Sequence, residues 1–284
     1  MHDISGEIKQ TSLAVRLPVA SLTKKTSEIF FIHTSRKLIT IVTATYNAGQ
    51  TLEHCIKSVL RQKADDIEYI IVDGASTDNT ASIVDKYRQG VDIFISEKDK
   101  GVYDAWNKAL KVCHGEWIVF LGADDYYAEG SIDKYRHFIE THDVSGIDII
   151  VARGVLVNKN RERLMDIGRP YVWNEFRKNS FLAHGATLHN RKLFDEVGLY
   201  DIRFNISADY ELLLRKKLNA LYMDHKTLYM MDAGISGSTR CLRQAFQIKR
   251  YRKSCGILYS TYYLLKGYMG FYAKKILFAL RNMR

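Results

Sequence analysis

The sequence predicts an α/β protein with a doubly wound, mostly parallel sheet flanked by helices. From Leu38 onward, short apolar runs rich in β-branched residues alternate with amphipathic stretches of helical period. This alternation is typical of βαβ units, in which consecutive strands lie parallel and are connected by a helix. Ligands of such sheets bind in the crevice at the carboxyl ends of the strands.

The apolar runs and the amphipathic stretches give the bounds of the predicted elements. Strands are predicted at residues 39–46, 69–72, 91–95, 117–121 and 147–152. Helices are predicted at 51–61, 80–88, 102–113 and 132–141, and, where the regularity fades after residue 153, at 191–197 and 208–218. We expect the main domain to span residues 37–238. An N-terminal extension without a sustained period precedes it at 1–36.

The positive charge of the chain is concentrated near its C-terminus. The formal net charge is +10, yet no Asp or Glu follows Asp232, whereas eleven Lys and Arg do. Residues 239–284 are also rich in Tyr, Leu and Ile, and their uncharged run at 254–265 is shorter than the roughly 20 residues of a spanning helix. We therefore predict an amphipathic helical tail that lies on a membrane surface.

The tail has a plainer interpretation, in which its aromatic face packs on the main domain and its basic face is only solvated. A nucleic-acid partner is not expected, because the charge is confined to the tail and no recognition motif accompanies it. The four cysteines are widely spaced and show no C-x-x-C pair, which predicts free or buried thiols in a reducing compartment. The N-terminus lacks an uninterrupted apolar run, so secretion is not expected.

Polar and acidic residues directly follow three of the predicted strands. They are Thr45, Tyr46 and Asn47 at the end of the first strand, Asp73 after the second, and Asp124 and Asp125 after the fourth. A single Asp after a strand is more often a helix cap or a turn residue. Several at one edge of a sheet are costly unless they bind a cationic or hydrogen-bonding ligand. A nucleotide with a metal ion meets that requirement.

The phosphate-binding loops of rival nucleotide-binding folds are missing from the sequence. There is no G-x-x-x-x-G-K-[ST] loop, and no G-x-G-x-x-G follows the first strand. A metal ion must then neutralise the diphosphate of a bound nucleotide. Asp124 and Asp125 are the natural candidates, because hard carboxylate oxygens suit Mg²⁺ or Mn²⁺.

Four ordered segments carry a resemblance to a known enzyme family. They are TATYN at 43–47, VDGASTDNT at 72–80, SEKDKGVYDAWNKA at 96–109 and FLGADD at 120–125. With them, the chain resembles an inverting family 2 glycosyltransferase of GT-A fold, of the kind that builds bacterial surface polysaccharides. The resemblance covers roughly residues 38–235. It implies a donor half at about 37–153 and an acceptor half at about 154–238.

The resemblance implies contacts to a nucleotide-sugar donor. The residues that it places near the donor are Thr45, Tyr46, Asn47, Asp73, Asp104, Asn107 and Lys108. Two of them have plainer alternatives, since Asp104 also suits the cap of a helix start and Lys108 also suits a solvated helix face.

The metal and the catalytic base are also implied by the resemblance. The family's D-x-D metal motif appears here as Ala123-Asp124-Asp125, with its first Asp replaced. By resemblance, Asp125 binds the metal and Asp124 contacts the donor. An acidic motif that opens a later helix implies Asp209 as the base, with Glu211 as the backup. A first-turn Asp that only stabilises its helix is the alternative for Asp209.

Two smaller features are placed near the active site by the same resemblance. His184 is expected to contact the acceptor or a phosphate, and a core or surface histidine is the alternative. The Gly-Ser segment at 234–238 is expected to be a mobile loop that closes over the donor.

These features predict an inverting transfer of a hexosyl or N-acetylhexosaminyl group from a nucleotide-sugar donor, UDP-linked by the family's usual preference. The expected acceptor is a hydroxyl of a lipid-linked or saccharide molecule in bacterial polysaccharide or glycolipid assembly. The resemblance and the tail together place the enzyme peripherally on the cytoplasmic face of the membrane. The alternatives are a sugar nucleotidyltransferase, whose usual Gly-rich basic loop residues 43–49 lack, and a catalytically silent scaffold tethered by its tail.

Overall fold

The computed structural model describes residues 37–232 and 239–281, with side chains as far as residue 273. The predicted extension at 1–36 and the Gly-Ser segment at 234–238 lie outside the described residues. The described residues belong to one compact unit.

Within the described residues, nine strands join in one sheet. They are β1 (Ile39–Thr45), β2 (Ile67–Asp73), β3 (Ile93–Ser96), β4 (Trp117–Gly122), β5 (Tyr126–Tyr127), β6 (Ile149–Val157), β7 (Arg163–Ile167), β8 (Thr187–Asn190) and β9 (Ala220–Met231). Their order is β3-β2-β1-β4-β8-β6-β9-β5, with β7 paired to β6. Strands β1 to β4 pair in parallel, and so do β6 and β9, whereas β8 is antiparallel to β4 and β6. The predicted mostly parallel α/β fold is confirmed.

The helices cover both faces of this sheet. They are α1 (Leu52–Leu60), α2 (Thr80–Lys86), α3 (Val102–Leu110), α4 (Ser131–Thr141), α5 (Trp173–Phe176), α6 (Arg191–Val197), α7 (Ala208–Leu213), α8 (Thr239–Tyr251) and α9 (Ile257–Arg281). Helices α1, α2 and α4 contribute to the core on one face, and α3, α6 and α7 to the core on the other.

Neighbouring residues of the central strands point to opposite faces of the sheet. In β1, Ile41 packs in the core with α1, and Val42 packs in the core with α3. In β2, Ile71 packs in the core with α1, and Ile70 packs in the core with α3. Because side chains alternate along a strand and helices cover both faces, both faces of these strands are buried and most of their residues are apolar or β-branched. That composition is the reason why their sequence predicted them.

Two parts of the chain differ from the prediction. The helix predicted at 208–218 ends at Leu213, and the region after residue 153 contains a β6–β7 hairpin and the long strand β9. The polar residues Asp224, His225 and Lys226 interrupt β9 where its pairing with β6 shifts register. An interruption of this kind hides the period of a strand in the sequence.

The tail consists of two helices with different surroundings. Helix α8 packs on the main domain: Ile248 is fully buried, and Arg252, just beyond the helix, pairs with the buried Glu211. Helix α9 instead exposes a row of large apolar side chains. The plainer interpretation of the tail holds only in that α8 packs on the main domain, because Lys249 is buried and Arg252 is paired, so these basic residues are not merely solvated. In the part of the chain that the structure describes, no helix combines the length and the apolarity needed to cross a membrane.

Candidate active site

Asp73 lies at the end of β2, opposite Thr45 in the parallel register of β1 and β2. The side chain is buried, and its Oδ2 accepts the backbone N–H of Ser76 at 3.0 Å and the hydroxyl of Ser96 at 2.7 Å. The hydroxyl of Ser76 donates to Oδ1. Asp73 therefore fixes the loop after β2.

Asn47 joins the loop after β1 to the loop after β2. Its φ of 48° is left-handed, a conformation that Asn adopts more readily than most residues. Its N–H donates to Oγ of Ser76 at 2.8 Å, and its side-chain oxygen accepts the N–H of Thr77 at 2.9 Å. The adjacent Tyr46 is 63% exposed, and the buried hydroxyl of Thr45 has no hydrogen-bond partner among the described residues. Asn47 thus shapes the loop, and Tyr46 presents an open aromatic ring.

Asp104 and Lys108 hold the segment that precedes α3. The carboxylate of Asp104, in the first turn of α3, accepts the N–H of Lys100 at 3.0 Å and so ties the preceding loop to the helix. The ammonium of Lys108 donates to the carbonyl of Lys98 at 2.8 Å and lies 3.0 Å from the carboxylate of Glu97. Lys108 is therefore not on a freely solvated face, and both side chains position the segment at 97–101.

Asn107 holds the backbone of Tyr200. Its Nδ2 donates to the carbonyl of Tyr200 at 2.9 Å, and its Oδ1 accepts the N–H of Tyr200 at 2.9 Å. Both polar atoms of the amide are thus engaged with a distant part of the chain. This structural role was not predicted from the sequence.

Asp124 and Asp125 follow β4 and converge near its last residue. A methyl group added to Gly122 would lie 2.7 Å from Oδ2 of Asp125 and 3.0 Å from Oδ1 of Asp124. The N–H of Met231 donates to Oδ1 of Asp125 at 2.9 Å and orients it. Burial, and next the charge of Asp124, raises the pKa of Asp125 to about 7, since two close carboxylates oppose each other's ionisation.

This pair of carboxylates fits a divalent metal whose coordination is completed by a substrate. No group of three or more His, Cys, Asp or Glu side chains in the described ranges is arranged to hold a metal ion. Mg²⁺ sites, however, often use one or two carboxylates, while substrate phosphates and waters fill the other positions. Asp124 and Asp125 supply hard oxygen ligands at one point, which suits a metal bound together with a diphosphate.

Asp209 lies in the first turn of α7 and is held by Tyr103. The hydroxyl of Tyr103 lies 2.9 Å from Oδ1 of Asp209 and 2.8 Å from the carbonyl oxygen of Ile206. Burial raises the pKa of Asp209, and the hydrogen bond from Tyr103 opposes that rise. A raised pKa makes a carboxylate a stronger base. No role was predicted for Tyr103, although it lies in the segment at 96–109 that carries part of the family resemblance.

His184 lies in an aromatic cluster. Its ring stacks on Trp106 and Phe120 at centroid distances of 5.2 and 5.5 Å, and its Nε2 lies 3.3 Å from the hydroxyl of Tyr200. The ring of His189 lies 4.7 Å away. Burial lowers the pKa of His184 to about 3. The ring is neutral at physiological pH, so it offers a ligand a hydrogen bond and not an ion pair.

Glu211 is not available as a base. Its side chain is fully buried, and its carboxylate pairs with Arg215 at 2.6 Å and with Arg252. Charge-assisted bonds to two guanidinium groups give the carboxylate a structural role. The backup role predicted for Glu211 is wrong, and Asp209 remains the candidate base in this segment.

The site combines polar loops after β1 and β2, a carboxylate pair after β4 and a half-buried aspartate on α7. Residues 40–198 match the family model of glycosyl transferase family 2. The chain belongs to this family. The protein is therefore a glycosyltransferase, as its sequence predicts, and the nucleotidyltransferase and silent-scaffold alternatives lose their support.

Two bacterial glycosyltransferases are similar to this one over most of the catalytic region. A PGL/p-HBAD biosynthesis glycosyltransferase of Mycobacterium tuberculosis is 30% identical over 184 residues, which are 63% of this chain and 69% of the relative. The putative teichuronic acid biosynthesis glycosyltransferase TuaG of Bacillus subtilis is 33% identical over 197 residues, which are 66% of this chain and 77% of the relative.

Solved structures of two other glycosyltransferases share the fold. S. aureus TarS 1–349 in complex with UDP-GlcNAc aligns with a TM-score of 0.57 at 17% identity, over 81% of this chain and 71% of that chain. Against full-length TarS, the match spans 42% of that chain. The mannosyltransferase PcManGT from Pyrobaculum calidifontis, in complex with GDP-Man and Mn²⁺, aligns with a TM-score of 0.57 at 19% identity, over 81% and 70%. This likeness confirms the predicted GT-A fold.

We predict that the imidazole of His184 stays neutral from about pH 8 down to about pH 5, because burial lowers its pKa to about 3. NMR resonances of the ring, assigned with a His184→Gln variant, should keep constant shifts over this range. A His225→Gln variant, at an exposed position on β9, is the matched assignment control. Titration of His184 near the ordinary value of about 6.5 would contradict a buried neutral ring.

Proposed function

We propose that this glycosyltransferase moves a hexosyl or N-acetylhexosaminyl group, with inversion, from a UDP-sugar to a hydroxyl of a lipid-linked or saccharide acceptor. The observation that carries the proposal is the aromatic cluster around the proposed base. Phe120, on the strand β4 that the carboxylate pair follows, stacks on His184, and Trp106 packs against both Phe120 and Tyr103, the partner of Asp209. His184 and the proposed base thus belong to one cluster, and β4 leads from it to Asp124 and Asp125.

The relatives support a place in bacterial polysaccharide or glycolipid assembly. One is named for PGL/p-HBAD biosynthesis and the other for teichuronic acid biosynthesis. Among the structural neighbours, TarS binds UDP-GlcNAc, which supports a UDP-sugar donor, and PcManGT holds Mn²⁺ with its donor. We infer a UDP-sugar and a divalent metal, Mg²⁺ or Mn²⁺, for this enzyme.

The donor contacts are proposed at the ends of β1, β2 and β4. The open ring of Tyr46 offers a stacking surface for the base, and Asp73 accepts a hydrogen bond from the nucleoside. Asp124 contacts the ribose or the sugar, and Asp125 is the metal ligand. Thr45, Asn47, Asp104, Asn107 and Lys108 complete the donor side; Asn47, Asp104 and Lys108 hold its loops, and Asn107 holds the backbone of Tyr200.

In the proposed reaction, Asp209 accepts the proton of the acceptor hydroxyl while that oxygen attacks the anomeric carbon. The bond between the anomeric carbon and the diphosphate oxygen breaks on the opposite face, and its electron pair leaves with the nucleoside diphosphate. The configuration at the anomeric carbon is thereby inverted. A bound divalent metal stabilises the charge of the leaving diphosphate. His184 is proposed to donate or accept a hydrogen bond to the acceptor or a phosphate.

The tail supports a peripheral position on the inner face of the cell membrane. The apolar stripe of α9 consists of Leu258, Tyr262, Leu265, Met269 and Tyr272, spaced by four and three residues, with exposures of 54–86%. The surrounding tail is cationic, since no Asp or Glu follows Asp232. An anionic lipid surface complements both features. Pairing of two copies through the stripe would instead bring like charges together.

A thermal-shift panel tests the donor class and the metal. UDP with Mn²⁺, at a hundredfold excess over its Kd, should stabilise the enzyme by about 2.7 kcal/mol, which raises Tm by about 5–10 °C. GDP, CDP, ADP and metal-free UDP should give smaller shifts. In Asp125→Asn the metal-dependent part should vanish, whereas the control Asp133→Asn, on the outer face of α4, should keep it. The largest shift with GDP, or no shift at all, would contradict a UDP-sugar donor.

Substitution of the proposed base should affect turnover more than donor binding. Asp209→Asn removes the proton acceptor, so kcat should fall by about 10²–10⁴. The thermal shift with UDP and Mn²⁺ should remain. An Asp209→Asn enzyme with the turnover of the wild type would refute the assignment of Asp209. That outcome would not make Glu211 the base, because its carboxylate is already paired with two arginines.

Removal of the Tyr103 hydroxyl, the hydrogen-bond partner of Asp209, should shift the pH dependence of turnover. Tyr103→Phe removes the hydrogen bond that lowers the pKa of Asp209, so the pKa rises. Because the base acts when ionised, the acidic limb of the kcat/KM profile should move to higher pH. Tyr87→Phe, which loses a hydrogen bond to Glu53 on α1, is the control and should leave the limb in place. A shift to lower pH in Tyr103→Phe would contradict the proposed contact.

Vesicle co-sedimentation tests the membrane surface. The triple variant Leu258→Ser, Leu265→Ser and Met269→Ser removes three exposed side chains, each worth about 1.5–3 kcal/mol when buried, so binding to vesicles with anionic lipid should be lost. The control Leu164→Ser and Met165→Ser removes exposed apolar side chains from β7 and should not change binding. The proposal would be overturned if the wild-type enzyme did not co-sediment with the vesicles and instead formed a dimer in which this stripe is the interface.

A further inference from the structure

A helix of the tail contacts the segment that carries the proposed base. Oε1 of Gln244, on α8, accepts the backbone N–H of Ile206 at 2.8 Å and that of Ser207 at 2.7 Å. Its Nε2 donates to Oδ1 of Asn205 at 3.0 Å. This one side chain therefore fixes the backbone just ahead of α7, two residues before Asp209.

The peptide unit between Ile206 and Ser207 is held from both sides. Its N–H is bonded to Gln244, and its carbonyl oxygen lies 2.8 Å from the hydroxyl of Tyr103, which also contacts Asp209. Because a peptide unit is planar and rigid, a rotation that released one contact would disturb the other. The position of the Tyr103 hydroxyl relative to the base is thus linked to Gln244.

The start of α7 depends on this external acceptor. Ser207 precedes the helix, and its side chain makes no capping hydrogen bond. Its hydroxyl instead lies 3.6 Å from the sulfur of Cys241, also on α8. Backbone N–H groups at a helix start lack partners within the helix, so the amide of Gln244 supplies an acceptor that the local sequence does not.

Helix α8 has a second attachment on the other side of the base. Arg252 pairs with Glu211, two residues after Asp209, and Glu211 is fully buried. Separation of this pair would remove one of the two guanidinium partners of a buried carboxylate, which is costly. Ile248, between the two attachment points on α8, is also fully buried. The tail therefore holds α7 on both sides of Asp209.

We propose that Gln244 is a positioning residue for catalysis, which fixes the 206–207 peptide and with it the contact between Tyr103 and Asp209. The inference rests on the proposed role of Asp209 as the base. It makes α8 a part of the active-site architecture, separate from any membrane contact of α9.

The test uses the full chain with three substitutions on α8. Gln244→Leu keeps the size of the side chain and removes the acceptor, Gln244→Glu keeps an acceptor oxygen, and Gln247→Leu changes an exposed glutamine one turn away. Turnover is measured as UDP release from the UDP-sugar that the wild type turns over fastest, per folded molecule. Gln244→Leu should lower kcat by about 10- to 100-fold, since a small misplacement of a catalytic group is costly. The KM for the donor should stay within about twofold.

Rescue and hydrogen exchange complete the design. Gln244→Glu should recover most of the turnover, and Gln247→Leu should match the wild type. Exchange of the Ile206 and Ser207 amides, followed by NMR or mass spectrometry, should accelerate in Gln244→Leu only. Equal turnover of Gln244→Leu and Gln247→Leu, or no gain of Gln244→Glu over Gln244→Leu, overturns the inference. Wild-type turnover of Asp209→Asn would instead refute the proposed base, and the exchange data would still report on the Gln244 contact.

Discussion

The parallel pairing of β1 with β2 and β4 determines where the site forms. Thr45 lies opposite Asp73, and Ala44 lies opposite Gly122, so the three strands end at one edge of the sheet. Helices cover both faces of these strands, and a slip of one residue would turn every side chain to the wrong face. Burial on both faces thus fixes the register, and the register brings the loops after the three strands together.

Many polar residues of the four family segments hold the loops of the site in place through hydrogen bonds. Asn47 joins two loops, Asp104 ties the loop ahead of α3 to the first turn of that helix, and Lys108 binds a carbonyl of the preceding segment. Loops held in this way are formed before a ligand arrives, so less free energy is spent on ordering them when it binds. The exposed Tyr46 and the convergent carboxylates of Asp124 and Asp125 are then presented by a rigid frame.

The sequence predicted the strand-end half of this arrangement because its signals are local. Apolar runs followed by acidic residues identify the ends of parallel strands without knowledge of distant contacts. The surroundings of Asp209 depend on pairs far apart in the chain, such as Tyr103 with Asp209, 106 residues apart, and Gln244 with Ser207, 37 residues apart. The backup role as base was predicted for Glu211 for the same reason. Its partner Arg252 lies 41 residues away, and no local sequence pattern indicates this pairing.

The two attachments of α8 also determine where a chimera with a relative can be joined. An exchange of C-terminal segments at residue 239 would replace Gln244 and Arg252 together with the exposed helix, and the recipient would lose the support of α7. An exchange point between Lys253 and Gly256, where the chain passes from α8 to α9, would keep that support. Chimeras joined there can vary the exposed helix while the catalytic half remains that of the parent.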